Sequence, residues 1–129
     1  MFTRIQGDTG AVMPFEYLSA DVGEYTAGQL LQMTGGVLTG ITAALNAKPA
    51  YLCMADEKVN LKDALLPVER VSSNFIYETS LSAAVASLTV GQKMSVAKGG
   101  VQVAAGAGAF EVVSFDGVDE GSVVRGRFA

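Results

Sequence analysis

The sequence predicts an all-β protein: a small β-barrel or sandwich of about seven or eight short strands, with an N-terminal arm and at most one short helix. Three observations predict it. Glycine outnumbers proline, 15 to 3, so the chain is broken by turns that need positive φ rather than by rigid kinks. The stretches between are rich in Val, Leu, Ile, Phe, Tyr and Thr, which suit a pleated, half-buried surface. Those stretches are also short and closely spaced, the rhythm of a compact barrel or sandwich. A chain of 129 residues fits one domain and can bury roughly two thirds of its unfolded surface.

Residues 1–24 read as an arm, because neither a helical nor a strand period is sustained there. Large apolar residues nevertheless recur: Phe2, Ile5, Val12, Met13, Phe15, Tyr17 and Leu18. Two readings stand side by side for Phe15 to Leu18, an edge strand of the domain or a segment that grips a partner. Residues 25–129 read as a single β domain. Gln29–Met33 and Val37–Thr42 flank Gly35-Gly36 and predict a tight hairpin. Ala50–Ala55 reads as a strand buried on both faces, ending in a polar turn at Asp56-Glu57-Lys58. Leu65–Val71 and Asn74–Thr79 are further strands. Leu81, Ala84, Val85 and Leu88 follow the i, i+3, i+4, i+7 rule and would allow one short helix, and Ile41–Ala47 is a weaker helical candidate.

The clearest hairpin is Lys93–Ala97, a turn at Lys98-Gly99-Gly100, then Val101–Ala104. Met94 and Val96, like Val101 and Val103, alternate with polar or small neighbours. Phe110–Phe115 and Ser122–Phe128 complete the set. In the last strand Val124, Gly126 and Phe128 share one face, while Arg125 and Arg127 share the other. Charges so placed on a terminal strand commonly prevent edge-to-edge pairing.

Composition narrows the function. Nine basic against 13 acidic residues give a net charge of −4 and a pI near 4.6, which disfavours a nucleic-acid partner. With no histidine, neither a Ser-His-Asp or Cys-His nucleophile nor a His-ligated metal can be built. The longest apolar run, residues 50–55, is far shorter than the ~18 residues of a membrane span, so no membrane is expected. The N-terminus lacks the apolar core of a secretory signal. Cys53 is the single cysteine and lies in that apolar run, where the residue acts as a small buried hydrophobe. Only 17% of residues are charged, below the ~25% of ordinary soluble domains, which points to self-association or attachment to a surface.

Candidate chemistry is thin, and no catalytic residue, metal or cofactor is expected. Asp56-Glu57 and Asp119-Glu120 fall in turns, where neighbouring acids are solvated rather than paired for proton transfer. The stretch Asp116–Gly121 lacks the acid spacing of a calcium loop. Neither Gly99-Gly100 nor Gly106-Ala107-Gly108 ends in the Gly-Lys-Ser/Thr of a phosphate-binding loop.

One global pattern remains. Met13–Ala20 precedes Tyr25–Leu31 and Gly36–Gly40; then come Ala50–Ala55, Val68–Val71, Ile76–Thr79 and Val90–Val96, and finally Phe110–Gly117 and Ser122–Phe128. Taken in this order, the chain resembles the small head decoration, or capsid cement, proteins of tailed bacteriophages and prophages. The resemblance covers nearly the whole chain and consists of glycine turns and apolar strands. It implies a non-enzymatic structural protein, made in the bacterial cytoplasm and carried on the outer surface of the virion capsid. There it would bind the major capsid protein at subunit junctions as a homotrimer, without touching nucleic acid. Phe15, Tyr17, Leu18 and Tyr25 are the expected contacts with the shell or with neighbouring copies. Trimerisation makes later engagements intramolecular, so weak contacts can add ~10²–10⁴ in affinity. The alternative is a small β-sandwich binding module for a carbohydrate or protein ligand. An enzyme, needing a carboxylate pair or lysine assembled by folding, ranks third.

Overall fold

The computed structural model of the chain describes residues 1–6, 16–61 and 63–129. It is all-β, with 13 strands: β1 Thr3–Gln6, β2 Glu16–Ala20, β3 Gly23–Tyr25, β4 Leu30–Thr34, β5 Val37–Thr39, β6 Tyr51–Cys53, β7 Glu57–Val59, β8 Ala64–Arg70, β9 Ile76–Ser80, β10 Lys93–Val96, β11 Val103–Ala105, β12 Phe110–Phe115 and β13 Val123–Phe128. Five of them close a barrel in the order β2-β5-β4-β6-β8. Six form an open sheet, β1-β9-β13-β12-β10-β11, and β3 pairs with β7 alone.

Closure of the barrel follows from local rules. Thr34 pairs with Val37 across Gly35-Gly36, both at positive φ (59° and 84°). That is the geometry of a two-residue hairpin whose twist matches its strands. β2 then runs antiparallel to β8 over five residue pairs, from Glu16↔Val68 to Ala20↔Ala64, and meets β5 in parallel at Ala20↔Leu38. Because side chains alternate along a strand, one set points into the barrel: Ala20, Leu31, Leu38, Cys53, Leu66 and Val68, joined by Tyr25 and Val59.

The opposite set makes the second core. Leu30 and Leu52, next in sequence to Leu31 and Cys53, face outward and join the sheet's residues Phe2, Phe75, Tyr77, Met94, Phe110, Val124 and Phe128. Phe110, Phe128 and Tyr77 form an aromatic stack with centroids 5.3 and 5.6 Å apart, in edge-on or tilted arrangements that ring quadrupoles favour. Leu30–Leu31 of β4 and Leu52–Cys53 of β6 are therefore buried on both faces. The loop after β10 ties the two units together: the Leu30 N–H donates to the Gly100 carbonyl at 2.8 Å, and the Gly99 N–H to the Ile41 carbonyl at 2.8 Å.

Several expectations are met, and others are corrected. The strands at 30–34, 37–39, 51–53, 64–70, 93–96, 110–115 and 123–128 fall where the pattern places them, within one to three residues. The strand count is 13 rather than seven or eight, because short paired segments such as β3 and β7 carry too few residues to show a period; the strand expected at Val101–Ala104 is β11, Val103–Ala105, paired with β10 across a longer loop. Glu57–Val59 is a strand against β3, not a turn. No helix occurs among the described residues. Leu81, Val85 and Leu88 do pack on the sheet's core, but the backbone bonds elsewhere: Ser82 N–H to Val103 O and Val85 N–H to Val118 O, both at 2.9 Å. Likewise Leu45 exchanges both backbone bonds with Val96. Apolar spacing there reflects a segment draped over a core, not a helical face.

Of the residues read as an arm, β1 pairs with β9 at the edge of the sheet, and β2 lies in the barrel wall between β5 and β8. For Tyr17 and Leu18 the strand reading therefore describes their place, though in a closed wall and not at an edge. Phe15 lies outside the described residues.

Gly100 supplies a test of how the units are joined. It adopts φ +74°, and a Cβ there would lie 2.5 Å from the Leu30 carbonyl oxygen that completes β4. Gly100→Ala is expected to lower stability by about 1–3 kcal/mol, through overpacking and a disfavoured backbone conformation. Thermal unfolding of the variant beside wild type measures it.

Candidate functional site

Tyr17, Leu18 and Tyr25, three of the predicted contact residues, have three different fates. Alternation along β2 turns Leu18 toward the barrel core, where it is half-buried. It turns Tyr17 out, leaving it 63% exposed. Tyr25 is 6% exposed and closes one end of the barrel, its hydroxyl donating to the Asp21 carbonyl at 2.7 Å. Burial, with the nearby Asp21 charge, pushes that hydroxyl above its ordinary pKa. Tyr25 is thus a core residue and not a contact.

The surface around Tyr17 is apolar. Tyr17 sits opposite Pro67, and Ser19 opposite Leu65, so Tyr17, Pro67 and Leu65 share the outward face of the β2–β8 pair. Diagonal neighbours on such a face lie within side-chain reach. Leu65 is 63% exposed. At the end of the same strands, Val22 follows β2 and Leu61 precedes β8, exposed 58% and 77%. Tyr17 and Leu65 thus share one face of the barrel, and Val22 and Leu61 lie in the segments that adjoin the end of its two strands. Leu65 is not singled out by the sequence, because strand alternation alone does not say which face of β8 is covered. An ion pair between Arg70 and Glu16, at 3.4 Å, lies at the other end of the β2–β8 pair, at alternate positions to Tyr17 and Leu65.

The covered part of the same outer wall carries a charge. Glu69 is buried, with its side chain 2% exposed, where the barrel meets β1. Its Oε1 lies 2.8 Å from Arg4 Nε, and Arg4 Nη2 approaches Oε2 at 3.5 Å. The 2.8 Å contact lies off the line that a hydrogen bond needs, leaving both atoms without one. The pair is therefore held by charge more than by direction. The Arg4 guanidinium also stacks on the Phe75 ring at 4.7 Å. Beside the pair opens a cleft of 210 Å³ lined by Phe2, Leu52, Met54, Ala27 and Gly28.

The remaining candidates are structural. Asp56 Oδ1 accepts the Ala27 N–H at 2.8 Å, and Asp119 and Glu120 occupy an exposed turn. Arg125 does not guard an edge, since β13 lies between β9 and β12. It instead joins Glu78 at 3.0 Å and both Asp116 oxygens at 3.1 Å on the sheet's solvent face. Hydrogen bonding from Arg125 holds the Asp116 carboxyl below its ordinary value of 3.8. Burial pushes the Cys53 thiol up, which disfavours the nucleophilic thiolate. Among the described residues no three His, Cys, Asp or Glu side chains gather into a metal site.

Two outcomes test these interactions. Asp116 has a lowered pKa in the folded state, so its contribution is present above about pH 4 and disappears as pH falls through the folded value. Asp116→Asn should flatten that acid limb in urea unfolding followed from about pH 5 to pH 3. Arg4→Met leaves the Glu69 carboxylate buried and unpaired, an expected loss of about 3–5 kcal/mol, and adding Glu69→Leu should recover most of it.

In comparisons with known proteins, no family model matches the chain and no curated protein matches it.

Proposed function

We propose that this protein is a non-enzymatic structural protein that decorates the outer surface of a phage or prophage capsid, binding the major capsid protein at subunit junctions as a trimer. The observation that carries the reading is the apolar outward face of the barrel, with Tyr17 and Leu65 exposed beside the half-buried Pro67, and exposed Leu61 and Val22 in the segments adjoining its end. A solitary domain gains nothing from large hydrophobes left in water on one side, whereas a cement protein needs adhesive surface. Burial is worth ~25 cal/mol per Å² before the cost of association. Three copies linked as a trimer turn a modest face into a firm grip.

The resemblance in strand and turn order favours a shell protein as the partner. A net charge of −4 suits an outer surface that does not meet packaged DNA. A sugar-binding module fits less well, because Tyr17 is the one aromatic among the strongly exposed hydrophobics of the described residues. Sugar platforms usually stack their ligand on several rings.

Tyr17→Glu and Leu65→Glu place charge on this face without entering the core. Each is expected to leave thermal stability within about 0.5 kcal/mol of wild type, while the pair together reduces co-sedimentation with undecorated heads at least tenfold. Undiminished binding by the folded double variant would remove this face from the mechanism.

A further inference from the structure

The cleft beside Arg4 has the shape and chemistry of an anchor site, and we propose that it receives a single apolar side chain of a partner polypeptide, with Arg4 donating to the main-chain carbonyl next to that side chain. Its volume is 210 Å³. That falls below the ~300–1,000 Å³ of sites for drug-sized ligands and is enough for one large aliphatic side chain. Phe2, Leu52, Cys53 and Met54 make the apolar walls, with Arg4 and the buried Glu69 on the polar side, so the occupant's body is apolar.

Polarity decides the rest. Glu69 is sealed at 2% exposure, whereas the Arg4 side chain is 29% exposed. The reachable polar groups of the pair are therefore guanidinium N–H donors, and the occupant must present an acceptor. Among the described residues Arg4 Nη1 makes no hydrogen bond within the protein. Glu69 already cancels the arginine's charge at 2.8 Å. A carboxylate or an ammonium entering this apolar cleft would shed its water without a free counter-charge, so the acceptor is neutral. A peptide carbonyl beside an aliphatic side chain meets all three demands.

The surroundings favour a polypeptide. β1 is the edge of its sheet and pairs with β9 on one side only. On the other side the Phe2 N–H is held by the Gly28 carbonyl at 2.9 Å, and the cleft opens just beyond. An irregularity between Arg4 and Gln6 breaks the register of β1, which prevents the addition of a long strand. Contact is thereby limited to an anchor and its adjacent peptide group. Arg4 is clamped between Glu69 and the Phe75 ring, so little order has to be imposed on binding. The site is separate from the bare face of the barrel and does not depend on its role.

Amide-resolved NMR titration of the full chain tests the proposal with three probes: N-acetyl-L-leucine N-methylamide, 4-methylpentanoate and 3-methylbutylammonium. The capped leucine is expected to shift Gly28, Leu52 and Met54 saturably, with a dissociation constant in the millimolar range, and at least tenfold more tightly than either ion. Ala27 lines the mouth and is exposed. Ala27→Phe should abolish the shifts while preserving the spectrum of the fold. Absence of saturable shifts overturns the proposal. So does tighter binding of the carboxylate, which would make the cleft an anion site, or unchanged binding by Ala27→Phe.

Discussion

Everything in this fold depends on a barrel wall with two dry faces. Leu31 and Cys53 fill the barrel, while their neighbours Leu30 and Leu52 fill the space under the sheet. The period-two alternation of a strand normally gives one buried and one wet face, but here both are committed. A single-residue slip in β4 or β6 would exchange the two sets, and each core would then receive the other's side chains. The register is therefore strongly specified, and the hydrogen bond from Leu30 to Gly100 helps to secure it.

The same wall explains where the surface is greasy and where a charge is buried. The sheet covers the outer wall over β4, β6 and the end of β8, where Glu69 meets Arg4. It does not reach the start of β8 or its partner β2, so Leu65 and Tyr17 remain exposed, with Pro67 half-buried between them and the covered end. One strand thus passes from a bare apolar stretch to a buried carboxylate within five residues. The outward residues of β8 are not an inconsistent pattern; they meet different neighbours along the strand.

Legibility followed from how local each feature is. The β4–β5 hairpin was readable because Gly35-Gly36 specifies its turn, and β12 and β13 because each holds six residues of clear pattern. Segments without such signals were misread. Leu81 to Leu88 has helical spacing, yet its backbone bonds to Val103 and Val118 override that weak propensity. Tyr25 is expected as a contact only on the strength of the resemblance, and the packing that turns it into the barrel core joins residues far apart in sequence. Arg125 looked like an edge guard because the last strand in sequence need not be the last in the sheet. Leu65 is diagonal to Tyr17 across β2 and β8, in a pairing that joins residues 48 positions apart, and no local rule reveals it. Arg4 and Glu69 are separated by 65 positions and were missed for the same reason.

The proposed adhesive role draws on the outward face of the β2–β8 pair, where Tyr17 and Leu65 stand exposed. The most direct test is cryo-electron microscopy of expanded, undecorated heads mixed with the wild-type protein. The expected result is three-fold density at the junctions of capsid subunits, with the β2–β8 wall of each copy buried against the shell or against a neighbouring copy. Bare heads at saturating protein, or bound copies with Tyr17 and Leu65 turned to solvent, would contradict it.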